Sequence, residues 1–569
     1  MRSPLPTVAS VLAVALLLGC GTGAGREGEE TYDLLLLGGT VIDGSGGDRF
    51  AADVGIRDGE IVAVGDLEGA VARERLDVSG RIVAPGFIDT HSHADRGLVD
   101  PALRQNAGFL TQGVTTSLFG LDGAYAPSEL RRLSEIFARQ GVGTNYGFFV
   151  GHNGIRREVL GMANRPPDAE ELAAMERLVA EGMDMGAFGF STGLMYLPGH
   201  FADTDEVVAL AKVAAAVGGV YDSHIRDPAG DLVASVAEAL EIGAAAGAHA
   251  HPAHHKAPGM KNFGKGEELS ALIAAAIARG QAVTVDQYPY DGAATAKLIE
   301  VLVAPGDVGL GELHQRFAAA DASEEERDAL LQEASDLLLE ALADPPTRAR
   351  IRELTETPPD DVYSWVETVG YDSFRLVVSD AHPDWTGRMI VDIAADEGVS
   401  PFDLLARLIA DDGAVAKITL GACLEDDVRT ILTRPWTMVA SDGAITGFEG
   451  GGGHPRSRGT FPRVLGRYVR EWGVLTLEEA VHKMTGLPAD YLGLEDRGRI
   501  EVGRRADVTV FDPETVIDRA TWREPSLLSA GIEHVFVNGN FALRDGEVTG
   551  ECPGEPLRRT RTRPPGSPS

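Results

Sequence analysis

Two histidines, separated by one residue, follow an apolar run near position 90. The segment reads GFIDTHSHAD, and its apolar residues stop just before His91 and His93. In a β-strand, residues i and i+2 point the same way, so the two imidazoles would lie side by side. Such a pair is either a metal-ligand spacing or a polar strand end, and the rest of the chain has to distinguish these readings.

Histidine, aspartate and tyrosine side chains recur at the ends of other strand-like runs. In chain order these runs are followed by Asp122, His152, His224, His254 with Lys256, Tyr288 and Asp442. One such residue alone is more often structural than functional, but their joint placement indicates a site. Nitrogen and oxygen ligands from several strands fit Zn²⁺ with an open position for water or substrate.

The elements that carry these side chains alternate between strands and helices. Eight strand-like runs, from GFIDTHSH to TMVASDG, are mostly separated by helical stretches such as DAEELAAMERLVAEGM. This order predicts an α/β fold with a (β/α)₈ barrel over residues 86–491, whose active site lies at the carboxyl ends of the strands. A longer, acidic gap before the last strand is interpreted as an insertion over about 291–435.

Both ends of the chain carry β signals without helices. Tight turns occur at Asp58-Gly59 and again at Asp545-Gly546, each between short apolar runs. We therefore expect residues 31–85 and 492–550 to form one small β-sandwich domain. The Pro-rich, basic segment 551–569 is expected to be a disordered tail.

The first twenty residues have the pattern of a targeting segment. Arg2 precedes an apolar stretch too short to span a membrane comfortably, and the stretch ends in Leu-Leu-Gly-Cys20. This ending resembles the lipobox of bacterial lipoproteins, which implies lipidation of Cys20 and a location in the cell envelope. The following residues 21–30, GTGAGREGEE, are expected to form a flexible tether. The alternative is an ordinary secretory signal with an incidental cysteine.

The net charge limits the classes of binding partner, and the number of cysteines limits the disulfide bonds. The 569-residue chain has a formal net charge of −35, which argues against nucleic acids and anionic membrane surfaces, so membrane contact is expected only through the lipid anchor. Cys423 and Cys552 are too few for a disulfide framework, and no pattern supports a bridge between them.

Several longer motifs place the chain beside a known family. Between Tyr32 and Gly550 it contains PGFIDTHSHAD, GHNGIR, STGLMYLPG, DSHIRD, HHKAPG, DQYPY, SDG and HPRSRGTFPRVLGRYVRE. The chain thereby resembles the N-acyl-D-amino-acid deacylase (D-aminoacylase) family of the amidohydrolase superfamily. The resemblance implies a barrel with a small β-sandwich, one or two zinc ions or another divalent metal, and hydrolysis of N-acyl-D-amino acids or X-D-amino-acid dipeptides.

The resemblance also implies roles for individual residues. His224 and His254 would bind a tightly held zinc, whereas His91, His93 and Asp442 would face a second metal position, with Asp442 also the general base. The family pattern completes the tight site with a cysteine, where this chain has Asp122. An aspartate can bind zinc, but this harder ligand is equally compatible with a looser metal, two metals or Mn²⁺.

Five further residues are expected to contact the substrate. Arg456 would bind its carboxylate bidentately, the alternative being a structural salt bridge. Lys256 and Tyr288 would assist, Tyr196 would line the pocket, and His152 would contact the substrate or orient a metal ligand.

Several other histidines, and two other functions, fit the sequence less well. Asp380 and His382 fall in the insertion, and His249, His251 and His255 are not expected to bind metal. A cyclic-amide hydrolase of the dihydropyrimidinase type normally carries a metal-bridging lysine at the end of strand four, but GFSTGLMY contains none. A non-catalytic solute-binding lipoprotein would have no need of Asp442 beside the ligand histidines.

Overall fold

The computed structural model describes residues 31–559 apart from 294, 311–323, 360–361, 363, 414–415 and 446–452. The predicted signal peptide, Cys20 and the tether therefore lie outside the described residues. Within the described part, no helix has the length and apolar character needed to cross a membrane. Both described cysteines, Cys423 and Cys552, are free thiols.

Eight parallel strands close into a barrel, as predicted. They are β1 (Phe87–Asp89), β2 (Val114–Phe119), β3 (Asn145–Phe148, continued by Val150–Gly151), β4 (Gly189–Gly193), β5 (Val220–His224), β6 (Ala250–Pro252), β7 (Val285–Gln287) and β8 (Thr437–Val439). Sequential strands pair in parallel. Parallel bridges from Ala250 to Val283 and from Ser92 to Gly443 complete the circle.

Helices cover the outside of the barrel. The connections contain Asp95–Leu98, Ala107–Leu110, Pro127–Gln140, His152–Leu160, Ala169–Asp184, Thr204–Ala216, Leu232–Ala246, Gly266–Ala278 and Glu425–Leu432; after β8 come Arg456–Arg463, the π-helix Val464–Glu471, Leu477–Met484 and Gly486–Leu492. The helix after β2 shows why they pack here, because it buries Leu130, Leu133 and Phe137 at helical spacing. Asp168 starts another helix by accepting backbone hydrogen bonds from its first turn.

Both chain ends build the predicted β-sandwich. One sheet has the order Glu60–Gly65, Asp53–Arg57, Tyr32–Leu37, Ala72–Asp77; the other has the order Glu547–Val548, Asn540–Arg544, Ile532–Val537, Val508–Phe511, Ile82–Pro85, Thr40–Val41, Phe50–Ala51. The second sheet joins the two ends, because Val508–Phe511 pairs antiparallel with Ile82–Pro85. The turn at Asp58-Gly59 has positive φ at both residues, which a right-twisted two-residue hairpin requires.

The insertion forms its own small layer between β7 and β8. It contains three antiparallel strands, Thr295–Lys297, Lys417–Thr419 and Arg375–Val378, and the helices Glu324–Ala343, Pro345–Glu356, Trp365–Val369, Ile390–Glu397 and Pro401–Asp412. The helix Glu425–Leu432 packs on Gly266–Ala278 and belongs to the barrel wall. The insertion therefore ends before Glu425 and not near 435.

The C-terminal segment is ordered as far as residue 559, so the prediction of a disordered tail from 551 is wrong for this part. The backbone of Gly554 donates to Val142, Tyr146 donates to Glu555, and Leu557 donates to Tyr146, over 2.7–3.1 Å. The physical reason is an open edge: Asn145–Phe148 pairs with β2 on one side, and the extended segment satisfies backbone groups on the other.

Candidate metal centre

Side chains from five strand ends converge at one end of the barrel. Oδ1 of Asp122 lies 3.4 Å from Nε2 of His91 and 3.5 Å from both Nδ1 of His224 and Nε2 of His254. Nε2 of His254 is 2.8 Å from Nδ1 of His224. These separations are well within what one zinc coordination shell can gather. Oδ1 of Asp122, which stands where the resemblance implies a cysteine, is thus the atom that all three histidines of this group face.

A second group of ligand atoms overlaps the first. Nε2 of His93 lies 3.2 Å from Oδ1 of Asp442 and 3.5 Å from Oδ2 of Asp122, and Nε2 of His91 lies 3.9 Å from Asp442. In each of two sets, His91 with His93 and Asp442 and His91 with Asp122 and His254, the ligand atoms lie within 4.8 Å of one another. Because His91 belongs to both sets, the geometry suits one ion or two neighbouring ions.

Three of these residues adopt a backbone conformation that side chains rarely take. Asp122, His254 and Asp442 have φ of 55°, 35° and 48°. Such residues persist only where the surroundings enforce them, and they cluster at functional sites. Asp442 is held by its backbone N–H, which donates to the carbonyl of His91 over 2.7 Å. The sharp turns after the strands aim the side chains into the barrel mouth.

Unsatisfied polar atoms and the local charge both fit a cation. Within the described part of the chain, both ring nitrogens of His91, Oδ1 of Asp122 and Nε2 of His224 are buried without a hydrogen-bond partner, which is uncommon for buried polar atoms. Burial opposes the charged form of His91, but the carboxylates of Asp122 and Asp442 outweigh it and raise the pKa of His91 to about 10. The same two carboxylates would also stabilise a bound divalent cation.

The carboxylates and His254 have the charge states that metal binding needs. Burial opposes ionisation of Asp122 and Asp442, yet nearby histidines, and Arg456 beside Asp442, lower the pKa of both carboxyls well below the usual range. Burial, Lys256 and His224 lower the pKa of His254 to about 3. At neutral pH the site therefore offers ionised oxygens and a neutral imidazole, which are the forms that bind metals.

A buried carboxylate on β7, which the sequence reasoning missed, supports the ligands. Asp286 accepts the backbone N–H of His254 at 2.5 Å and the hydroxyl of Thr90 at 2.9 Å, and it lies 3.1 Å from Nε2 of His251. Similarly, Asp89 accepts the backbone N–H of Ser441 at 2.9 Å. The available signal is an aspartate in the strand-like run AVTVDQ, because a strand buries a carboxylate only where hydrogen bonds or opposite charges compensate it.

Most of the predicted substrate residues border the same cavity of about 930 Å³. Nη1 of Arg456 is 2.8 Å from Oδ2 of Asp442, and the guanidinium lies 4.4 Å from the ring centre of Tyr288. Nζ of Lys256 is 3.0 Å from Nδ1 of His254, and burial lowers the pKa of Lys256 to about 8. The ring of Tyr196 packs against His224 at 4.6 Å.

His152 does not line this cavity, so the expectation of substrate contact is wrong. Its described contacts are with Glu206 and Phe190 and not with a metal ligand, so the alternative role is not supported either. Its side chain is fully buried, and Nε2 lies 2.9 Å from Oε1 of Glu206, which also pairs with Arg156. His152 thus belongs to a structural ion-pair cluster at the start of a helix. Its position after β3 was predicted, but Glu206 lies 54 residues away in another helix, and no sequence pattern joins them.

The histidines set aside from the ligand set lie elsewhere. His382 is 2.7 Å from Asp411 and stacks on Trp385 within the insertion. His251 lies behind the site on Asp286, and His249 contacts Thr284 at 3.0 Å. His255 is buried, with its backbone N–H on the carbonyl of Asp286.

Comparison with known proteins places this geometry in a family. The amidohydrolase family model Amidohydro_3 matches residues 384–542. N-acyl-D-glutamate deacylase of Alcaligenes xylosoxydans xylosoxydans is 38% identical, covering 93% of this chain and 97% of its own. The structure of N-acyl-D-glutamate deacylase from Bordetella bronchiseptica, in complex with zinc and a phosphonate inhibitor, matches 93% of this chain and 100% of its own with 34% identity and a TM-score of 0.71.

A second solved relative, studied for its binuclear metal centre, is a D-aminoacylase. It is 33% identical, covers 93% of this chain and 100% of its own, and has a TM-score of 0.70. Sequence similarity and the fold are thus shared with these relatives along nearly the whole chain. The chain belongs to the N-acyl-D-amino-acid deacylase (D-aminoacylase) family of the amidohydrolase superfamily.

Proposed function

We propose that this protein is a zinc-dependent hydrolase that cleaves the amide bond of N-acyl-D-amino acids and releases the free D-amino acid. The observation that carries the proposal is the cluster of ligand atoms from His91, Asp122, His254 and Asp442 at the carboxyl end of the barrel. A cation, Arg456, stands directly beside it. The relatives named above, which share the fold over nearly the whole chain, are deacylases of this kind.

The metal would be held by residues from both ligand groups. As the family resemblance implies, Asp122, His224 and His254 would hold one ion, and His91, His93 and Asp442 would hold the other. His91 also lies 3.4 Å from Asp122 and so faces both positions. When bound, zinc polarises the amide carbonyl and lowers the pKa of an attacking water toward ~7. Because the oxygens of Asp122 lie 3.4–3.5 Å from His91, His93 and His254, this carboxylate would help to hold the metal at either position.

Asp442 would act as the general base. Its carboxylate is ionised and buried at the mouth of the barrel, and its second oxygen is steadied by Arg456 at 2.8 Å. It accepts a proton from the attacking water and returns it to the nitrogen of the departing amino acid. The carbonyl carbon gains one C–O bond, the C–N bond breaks, and the products are a carboxylate and a free amine.

Arg456 would bind the carboxylate of the amino-acid part. Nη1 faces Asp442, whereas Nε is buried without a hydrogen-bond partner in the described part of the chain. A guanidinium has five donors, so it can hold Asp442 and a substrate carboxylate together. Nζ of Lys256 lies 5.1 Å from the ring centre of Tyr288, which the guanidinium of Arg456 also contacts.

Particular residues argue against the two alternative functions. A metal-bridging lysine at the end of β4 would be needed for a cyclic-amide hydrolase of the dihydropyrimidinase type, but the strand ends in Ser191-Thr192-Gly193 and continues as Leu-Met-Tyr. A solute-binding protein would not need an ionised Asp442 facing the ligand histidines.

We further propose that the protein is a lipid-anchored envelope lipoprotein and that L-D dipeptides are among its substrates. The support for the anchor is the apolar stretch near the N-terminus, which ends in Leu-Leu-Gly-Cys20 and is followed by the hydrophilic segment 21–30. An envelope location would bring the protein near L-D dipeptides. Labelling cells with an alkynyl fatty acid should mark the wild-type protein and not Cys20→Ser. Equal labelling of both proteins would show that Cys20 is not the site of lipidation.

The enzymatic proposal is tested by a hydrolysis screen on the zinc-loaded protein. The panel contains N-acetyl-D-amino acids, their L-enantiomers, L-D dipeptides and a hydantoin, and release of free amine is measured. We expect turnover of D-configured acyl compounds at least ~100-fold faster than of the L-forms. Turnover of the hydantoin alone would point to the cyclic-amide alternative.

A further inference from the structure

The cavity above the metal ligands has two chemically distinct ends. At the metal end stand the carboxylates and histidines together with Lys256 and Arg456. The far end is lined by aliphatic and aromatic side chains, most of them from the insertion, including Ile299, Leu302, Leu331, Val369 and Leu420.

Among the described lining residues, the charged side chains lie at the metal end of this cavity, with one exception. Among the described lining residues, the one further charged side chain is Glu300, which is exposed. An acidic substrate side chain at the far end would need a cation, because a buried unpaired carboxylate is costly. The described far end offers no cation. It therefore does not suit the acidic side chain of D-glutamate, after which the relative N-acyl-D-glutamate deacylase is named.

Size indicates which part of the substrate lies in the apolar end. The volume of about 930 Å³ is near the upper limit for sites that enclose a small molecule. An amino-acid side chain would leave most of this space empty, whereas the acyl group of an N-acyl-amino acid has no such limit on its length. The arrangement of a charged end and an apolar end matches an amphiphile with an amide-carboxylate head.

We propose that the preferred substrates are N-acyl-D-amino acids with a long aliphatic acyl chain, which occupies the apolar chamber formed by the insertion. The inference rests on the proposed function, since the amide must lie at the metal centre. The reaction is hydrolysis as above, and its products are a fatty acid and the free D-amino acid.

The test is a chain-length series with one amino acid. Kinetics are measured with N-acetyl-, N-butyryl-, N-octanoyl- and N-decanoyl-D-alanine, and with N-acetyl-D-2-aminodecanoic acid, which carries the long chain on Cα. Each fully buried methylene is worth about 4-fold, so kcat/KM should rise at least ~100-fold from acetyl to octanoyl.

Two variants connect the gain to the chamber wall. Leu331→Gln places an amide in the apolar lining and should reduce the octanoyl-to-acetyl ratio at least ~10-fold. Its matched control is Leu337→Gln, a half-buried leucine of the same helix that does not line the chamber. Ala334→Trp narrows the chamber and should shift the optimum to shorter chains, which gives a second readout if the polar variant does not fold.

The outcomes separate this inference from the proposed function. Equal efficiencies for acetyl and octanoyl substrates would overturn the chamber assignment and leave the deacylase function intact. A gain found only with the long Cα side chain would overturn it too, because the other substituent would then occupy the chamber. No turnover of any D-substrate by the zinc-loaded enzyme would overturn both.

Discussion

Asp442 combines three contacts that a general base needs in this site. It faces His93, pairs with Arg456 and is fixed by a backbone hydrogen bond to His91. Replacement by asparagine keeps the size of the side chain but removes its ability to take a proton. We therefore expect Asp442→Asn to lower kcat by about 10²–10⁴-fold while metal stays on Asp122, His224 and His254.

The measurement for this variant is turnover together with metal content. Asp380→Asn, an exposed aspartate of the insertion, is the matched control and should behave as wild type. A loss of only a few-fold in Asp442→Asn would assign proton transfer to another group.

Arg456 contacts both the base and the space where the substrate carboxylate would lie. Because it pairs with Asp442, Arg456→Met should slow every substrate to some extent. The carboxylate contact is isolated by comparing an N-acyl-D-amino acid with its amide. A charge-assisted hydrogen bond of roughly 1.5–3 kcal/mol predicts that the acid loses at least ~10-fold more in kcat/KM than the amide. An acid-to-amide ratio equal to that of wild type would mean that Arg456 serves Asp442 alone.

At the scale of elements, β7 supports the metal ligands from behind. Asp286 accepts the backbone N–H of His254 and faces His251. It therefore fixes the position of the ligand His254 without lying among the ligand atoms. Partners of this kind typically change metal affinity 10–100-fold when they are altered. We expect Asp286→Asn to weaken zinc binding by that factor, measured by competition with a chelator, with kcat at saturating zinc nearly unchanged. Zinc affinity equal to that of wild type would contradict the supporting role.

The segment 551–559 lies along the first residues of β3, on the side opposite β2. Its backbone makes hydrogen bonds with Val142, Tyr146 and Gly186. At about 1 kcal/mol each, four such bonds predict that a chain ending at Gly550 loses about 2–4 kcal/mol of unfolding free energy. Urea unfolding measures this change, and a chain ending at Arg559, which keeps every described contact, is the control. Equal midpoints for the two chains would show that the segment adds no stability.

How far the sequence could predict these elements depends on the range of the interactions. The strand ends of His91, Asp122, His224, His254 and Asp442 could be predicted because local periodicity and the parallel-barrel rule together bring them to one edge. The pairing of His152 with Glu206, of Asp286 with His251 and of residue 554 with Val142 could not. Each joins segments far apart in the chain, and the partner atoms are chosen by packing that no local pattern contains.

In the whole molecule, the barrel provides the metal ligands and the insertion provides most of the apolar cavity wall. The barrel supplies a rigid ring of ligands, and its β-sandwich joins both chain ends in one sheet. The insertion between β7 and β8 covers the mouth of the barrel and adds the apolar chamber. With a net charge of −35, the chain relies on the local cations Lys256 and Arg456 to attract an anionic substrate.

The central claim, that the ligand cluster is a catalytic zinc centre for D-configured amides, is tested most directly by metal removal and return. The protein is stripped with a chelator, and hydrolysis of an N-acyl-D-amino acid is followed while zinc is added back in known amounts. We expect negligible activity without metal and full recovery as one or two zinc ions bind per chain, with the L-enantiomer inert throughout. Full activity in the stripped protein, or recovery that ignores the configuration of the substrate, would contradict it.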